Sequence, residues 1–176
     1  MEVTQLTEDE IYLRLKILRD SVDGRSRRQA RHELLGSDQK TLNTVLDQLV
    51  RHETDTEILA YTAELIVESQ GEHKAERILS LLQANDWALR QHICGLLANC
   101  GDKNMSRVLL ERLRFDSSAD VRSTAAYALG QIGDEQAIPD LEWVIAHDFA
   151  SDFQGATVSA AASAALAAIR NVVHPS

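Results

Sequence analysis

A segment of 14 residues that ends in glycine occurs three times in this chain and constrains its fold more than any other feature. The copies are Ile58–Gly71, Ala88–Gly101 and Asp120–Gly133, and their glycines lie 30 and 32 residues apart. In every copy the second, sixth and tenth residues are apolar, which is the spacing of one helix face. A repeat of this length predicts helical units that stack on their neighbours.

The glycine that ends each copy predicts a reversal of the chain. A helix that turns back within a few residues commonly ends in a left-handed residue, which glycine adopts without steric cost. An acidic residue follows each glycine, where the dipole of a following helix favours it. The next apolar positions predict second helices over Lys74–Gln83, Met105–Arg114 and Gln136–His147.

Upstream and downstream segments extend the same pattern. Arg27–Gly36 and Lys40–Arg51 predict a fourth hairpin, and Thr7–Glu10 has the sequence of a capping box that opens a helix. We therefore expect an all-α solenoid of about four helical hairpins with additional N- and C-terminal helices, about ten helices in all. The predicted single domain spans residues 1–176, with a cap helix at 7–23, hairpins at 25–52, 55–84, 86–115 and 119–148, and a terminal helix at 155–173.

The sequence DVRSTAAYALGQIGDEQAIPDL, residues Asp120–Leu141, resembles the HEAT-like repeat of the phycobilisome (PBS) lyase type. That repeat reads D-x-R-x-x-A-A-x-A-L-G-x-I-G-D-x-x-A-I-P-x-L. The resemblance covers one repeat closely and Ala88–Leu113 more loosely. It implies a right-handed α-α superhelix of the HEAT-like, armadillo-like kind. It also implies scaffold or adaptor functions for most relatives and bilin lyase activity for a few.

Composition and charge narrow the function classes. The formal net charge is −9 and the pI is about 5.1, which disfavours nucleic acid because such binding depends on phosphate neutralisation by basic side chains. The first ten residues lack the basic start and apolar stretch of a signal peptide. No segment holds the roughly 20 strongly apolar residues that cross a bilayer. We expect a cytoplasmic protein without a membrane association.

Two arginines occupy the same position in their repeats. Arg90 and Arg122 are each the third residue of a copy. In this repeat class such an arginine commonly bonds the neighbouring unit, and Asp120 is the expected local partner of Arg122. We therefore expect a structural role.

The histidine, glutamate and cysteine residues of the sequence give little support for metal or redox chemistry. His32-Glu33 resembles the His-Glu pairs of deoxyhypusine hydroxylase, but the matching positions of the other repeats hold no such pair. Cys94 and Cys100 are six residues apart, so they do not share a helix face, and both are expected to be buried. We predict no cofactor, no metal and no catalytic residue.

The expected binding residues lie on the second helices, which line the concave side of a HEAT solenoid. They carry mixed charge and one aromatic ring, and they are Arg77, Arg107, Glu111, Glu142 and Trp143. Trp143 is interpreted either as an exposed interface anchor or as a core residue. The basic stretch from Arg19 to Arg31 is read as a solvated helix junction or as a contact for an acidic partner.

The last helix offers a second docking surface. Residues 156–169 are rich in alanine, whereas a terminal repeat normally presents a polar cap. This end is therefore a candidate for a partner or for a homodimer. The leading functional hypothesis is a non-enzymatic protein-binding scaffold or adaptor. The alternative is a bilin lyase or lyase-isomerase subunit related to phycobilisome lyases.

Overall fold

The computed structural model describes residues 5–69, 74–100 and 103–173. These residues form ten α-helices, numbered α1 to α10 in chain order, as the sequence predicts. Their contacts divide the chain after Gln83 into an N-terminal unit and a C-terminal unit. The predicted all-α fold of the HEAT-like solenoid class is confirmed. The single-domain organisation stays a prediction.

The N-terminal unit holds five helices. They are α1 (Glu8–Asp20), α2 (Gly24–Leu35), α3 (Gln39–His52), α4 (Thr56–Glu68) and α5 (Lys74–Leu81). The predicted capping box opens α1: Thr7 Oγ1 accepts from the Glu10 backbone N–H at 3.3 Å, and Glu10 Oε2 accepts from the Thr7 N–H at 2.9 Å. Its apolar stripe of Ile11, Leu15 and Leu18 is buried.

The C-terminal unit holds the other five helices. They are α6 (Trp87–Cys100), α7 (Ser106–Phe115), α8 (Ala119–Ile132), α9 (Ile138–His147) and α10 (Val158–Val173). Helices α6 and α7 form one hairpin, and α8 and α9 form the next. Short 3-10 turns at Lys103–Met105 and Glu135–Ala137 lead into α7 and α9.

The reversal between α8 and α9 follows the predicted chemistry. Gly133 ends α8 with φ 71° and ψ 32°, a left-handed backbone conformation that residues other than glycine adopt only at a steric cost. Asp134 then caps the next turn, since its Oδ1 accepts from the Gln136 N–H at 3.1 Å. The corresponding Gly71 and Gly101 lie outside the described residues.

The core of both units is aliphatic. It is built from Leu, Ile, Val, Ala and Met side chains together with Cys94. The large rings lie outside: Trp87, Phe115, Tyr127, Trp143, Phe149 and Phe153 are exposed. All six belong to the C-terminal unit.

Helix α10 packs on both α8 and α9, and not only on the preceding second helix. Val158, Ala162, Leu166 and Ile169 are buried there. At Gly130 of α8 an added Cβ would lie 2.8 Å from the Ala165 Cα, so the two helices approach more closely than any side chain would allow. In the described part of the chain, no helix combines the length and the apolar character that crossing a membrane requires.

Candidate functional site

The arginine of each repeat closes its own hairpin. Arg90 donates from Nε and Nη2 to the two carboxylate oxygens of Asp116, both at 2.8 Å. Its Nη1 also donates to the backbone oxygen of Ala84 at 2.7 Å. Burial is the largest single influence and would raise the pKa of Asp116, but the hydrogen bonds from Arg90 and the Ser118 N–H, together with the charges of Arg90 and Arg112, outweigh it and the pKa is lowered. The pair is therefore ionised and structural.

Arg122 repeats this arrangement one hairpin later. It donates to Asp148 from Nε at 2.6 Å and from Nη2 at 3.2 Å, and its Nη1 donates to the Asp116 backbone oxygen at 2.8 Å. The prediction that Asp120 is the local partner of Arg122 is wrong. The Asp120 carboxylate instead accepts from the backbone N–H of Phe153 at 3.0 Å. The start of α8 lies beside the end of α9 in the hairpin, so the Arg122 side chain reaches the Asp148 carboxylate.

A second cluster occupies the exposed surface of α7 and α9. The guanidinium carbon of Arg114 lies 3.8 Å from the centre of the Trp143 ring, within cation–π range. Arg114 is itself fixed by Asp140, with Nη1 to Oδ1 at 2.8 Å. The His147 ring stacks on Trp143 with 4.6 Å between ring centres and 16° between planes. Trp143 is 43% exposed, so it lies at the surface and outside the core.

The five predicted binding residues do not all share this surface. Arg107 and Glu111 are exposed on α7, the helix that also carries Arg114. Glu142 is exposed but turns to the other side, where its Oε1 accepts from Arg170 Nη2 of α10 at 2.7 Å. Arg77 is only 7% exposed. It donates to Asp47 and Asn43, both at 2.7 Å, so its position in the N-terminal unit is that of a buried packing residue.

Arg114 is the residue that sequence reasoning missed. A signal for it does exist, because Arg114 precedes Asp140 by 26 residues, the same separation as in the Arg90 and Arg122 pairs. On the sequence alone, Arg114 is one more charged residue on a solvated helix face. Only the packing of α7 against α9 places its guanidinium over the Trp143 ring.

The other sequence candidates lie in ordinary surroundings. His32 is exposed, and Glu33 accepts from Arg14 and Gln29. Among the described residues, His, Cys, Asp and Glu side chains nowhere form a group of three that could hold a metal ion. Cys94 is fully buried, and burial raises the pKa of its thiol to about 12. The side chain of Cys100 lies outside the described residues.

The basic stretch of the N-terminal unit divides into two groups. Arg19 bonds Asp20 and Asp55, and Arg31 bonds Glu64 and Glu68. These contacts join α1 and α2 to α4 and match the interpretation as a helix junction. Three further arginines are exposed on α2, namely Arg25, Arg27 and Arg28.

The chain is similar to known proteins in two comparisons. The crystal structure of an engineered protein from the Northeast Structural Genomics Consortium is similar over 92% of this chain and 79% of its own, with 20% identity and a TM-score of 0.49. No curated protein matches the sequence. The family described as HEAT repeats matches residues 75–162, half of the chain. That match does not distinguish the PBS lyase type, which stays a prediction. The chain belongs to the HEAT-repeat family.

Proposed function

We propose that this protein is a non-enzymatic scaffold or adaptor, and that it binds another protein through the exposed face of α7 and α9. We call this face the second-helix surface and define it by Arg107, Glu111, Arg114 and Trp143. HEAT repeats commonly mediate protein–protein interaction, which supports the general class. The observation that carries the specific proposal is the exposed Trp143 ring held by Arg114.

Trp143 has the properties of an interface anchor. Tryptophan and arginine are enriched among the residues that dominate binding energy. Because Arg114 and His147 already fix the ring, little side-chain entropy remains to be lost when a partner covers it. When a partner buries a ring that was already held in place, less of the free energy gained by burial is therefore lost to ordering the side chain.

The charges around the ring favour a protein or peptide partner. Arg107 and Glu111 lie on α7 with opposite charges, and Glu111 accepts from Arg112 at 2.6 Å. Mixed charge offers complementary contacts to polar side chains and peptide groups at the rim of an interface. The surface lacks the basic excess that phosphate groups attract.

The exposed face of α10 is a second candidate surface, for a partner or for a second copy of the chain. It presents small side chains at helical spacing, namely Ala160, Ser163, Ala164 and Ala167. Small residues permit the close approach of another helix. We also propose a cytoplasmic location, in keeping with the acidic composition.

The two tryptophans allow a matched test of the second-helix surface. They are similarly exposed, Trp143 at 43% and Trp87 at 45%. The immobilised wild-type chain, Trp143→Ala and Trp87→Ala would be used to capture proteins from lysate of the source organism. We expect a captured protein to be lost with Trp143→Ala and retained with Trp87→Ala. Equal retention by all three would move the site elsewhere, and capture of nothing by the wild type would refute the adaptor function.

A further inference from the structure

The phenylalanines of this protein lie on three segments that meet at the first turn of α8. The chain has three, and all are exposed: Phe115 at 75%, Phe149 at 67% and Phe153 at 72%. Hydrogen bonds join Phe153 itself, and the residues next to Phe115 and Phe149, to Asp120 and Arg122 of that turn. We call Phe115, Phe149 and Phe153 the phenylalanine cluster.

Arg122 holds two of the three. Its guanidinium donates to the backbone oxygen of Asp116 and to the carboxylate of Asp148. Phe115 directly precedes Asp116, and Phe149 directly follows Asp148. One side chain on the first turn of α8 therefore brings the ends of α7 and α9 together, and a phenylalanine stands at each end.

The third phenylalanine is fixed through its backbone. The N–H of Phe153 donates to Asp120 Oδ1 at 3.0 Å. The loop that carries it is braced by Asp152, whose Oδ1 accepts from the Gln154 and Ala156 N–H groups, both at 3.0 Å. The Val158 N–H donates to the Ala150 oxygen at 3.0 Å and closes the loop. An ordered loop loses little conformational entropy when a partner binds it.

This exposure needs an explanation. A phenylalanine that leaves water contributes about 1.5–3 kcal/mol, yet the aliphatic core takes up none of the three rings. Exposed apolar side chains on ordered segments that meet at one turn mark an interaction site more strongly than scattered ones do. The rings are therefore suited to apolar side chains of a partner.

The charges beside the rings indicate what accompanies those apolar side chains. Asp116 and Asp148 are neutralised by Arg90 and Arg122. Asp120 and Asp152, by contrast, are held by uncharged backbone N–H groups, so they keep their negative charge. Carboxylates next to apolar rings attract Lys and Arg and repel an anionic membrane surface.

We propose that the phenylalanine cluster binds an amphipathic segment of a partner protein, in which apolar anchors alternate with Lys or Arg. The apolar face of that segment covers the rings of the cluster, and Asp120 and Asp152 pair with its basic residues. This inference rests on the proposed function, since it assumes a protein partner. It adds a second contact region and the chemical class of the bound segment.

The composition of the chain supplies two separate spectroscopic probes. Fluorophenylalanine labels only the phenylalanine cluster, and fluorotryptophan labels only Trp87 and Trp143. The ligand is a synthetic helical peptide of about 18 residues, or five turns, with leucine at every third or fourth position and lysine elsewhere. Two control peptides replace its leucines with serine or its lysines with glutamate. Fluorine NMR reports the site, and anisotropy of the labelled peptide reports the affinity.

We expect the leucine–lysine peptide to shift all three fluorophenylalanine resonances and both control peptides to leave them unchanged. The triple variant Phe115→Ser/Phe149→Ser/Phe153→Ser should weaken binding by about 30-fold or more. The matched variant Leu13→Ser/Val22→Ser, which removes exposed apolar side chains from the N-terminal unit, should bind as wild type does. Circular dichroism verifies that each variant is folded.

Several results would overturn the inference. Unshifted fluorophenylalanine resonances would refute it, and a shifted Trp143 resonance in the same titration would leave the proposed function standing. Equal affinity of the triple variant would refute it as well. Shifts caused by phosphatidylserine vesicles and not by the peptide would assign the cluster to a membrane. A wild-type dimer that the triple variant dissociates, measured by sedimentation, would assign it to a second copy of the chain.

Discussion

The guanidinium of Arg90 and the carboxylate of Asp116 face each other in a two-bond ion pair in which both distances are 2.8 Å. The Asp116 side chain is only 1% exposed. A buried charge that loses its partner keeps its desolvation cost without compensation. Arg112 Nη1 still lies 3.6 Å from Asp116, so we expect Arg90→Met to lower the free energy of unfolding by about 3 kcal/mol, the lower end of the range for breaking a buried pair, measured by urea denaturation.

The exposed pair of Arg170 and Glu142 supplies the control, because its geometry is similar at 2.7 Å while more than half of each side chain is in solvent. We expect Arg170→Met to lower the free energy of unfolding by only a small fraction of the loss caused by Arg90→Met, since water and salt screen exposed pairs. Equal losses in the two variants would contradict the view that burial sets the cost.

The same pair makes stability depend on pH in a defined direction. Burial opposes ionisation of Asp116 most, but the hydrogen bonds from Arg90 and Ser118 and the charges of Arg90 and Arg112 together outweigh it and lower the pKa below that of the unfolded chain. The folded state therefore binds fewer protons, and the contribution is complete above the unfolded pKa of about 3.9. It is lost as the pH falls through the folded pKa.

Comparison with Asp116→Asn isolates this contribution. We expect the stability difference between wild type and Asp116→Asn to be constant from about pH 7 to pH 5 and to shrink below about pH 4. Urea denaturation at each pH measures it. A difference that grew towards acid pH would contradict the assignment.

Two helical glycines should respond to alanine in opposite directions. An added Cβ at Gly130 would lie 2.8 Å from the Ala165 Cα, a backbone atom that moves only with α10. We expect Gly130→Ala to cost about 1–3 kcal/mol. At Gly95 the nearest atom is Thr124 Cγ2 at 4.0 Å, so Gly95→Ala should stabilise α6 by about 0.5–1 kcal/mol. Thermal unfolding of both variants tests the pair, and a stabilising Gly130→Ala would disprove the close packing.

The buried thiol should be inert until the protein unfolds. Burial raises the pKa of Cys94 to about 12, and the thiolate is the reactive form. In a Cys100→Ser variant Cys94 is the remaining cysteine. We expect its reaction with an aromatic disulfide reagent at pH 8 to be slow in the native protein and fast in urea. Rapid native reaction would place the thiol at the surface.

Local sequence signals predicted the elements of this fold well. The Thr7 capping box, the glycine that ends α8 and the four-residue apolar spacing each follow from interactions within one or two helical turns. Such short-range chemistry can be recognised in a sequence. The bounds of α2 were less accurate, because Asp23 caps the helix at Gly24, earlier than the predicted start at Arg27.

Long-range contacts could not be predicted in the same way. Arg122 has Asp120 two residues away in sequence but bonds Asp148, because the hairpin brings the end of α9 to the start of α8. Arg77 was predicted to be exposed, yet α3 supplies Asp47 and Asn43 that draw it inside the unit. The phenylalanine cluster depends on three such contacts at once, so residues 38 positions apart meet without any local signal.

The ion pairs Arg90–Asp116 and Arg122–Asp148 affect how such a chain can change in length during evolution. Each of these two repeats contains both residues of its own ion pair. What the arginine takes from the preceding segment is backbone oxygen, that of Ala84 and Asn85 for Arg90 and that of Asp116 for Arg122. Any amino acid supplies that oxygen. A tandem duplication of a whole repeat would therefore contain both residues of its ion pair, and the preceding repeat would supply the backbone oxygen that its arginine needs. A partial duplication would leave one charged residue without its partner. Evolution can lengthen or shorten this chain most readily in steps of one full repeat.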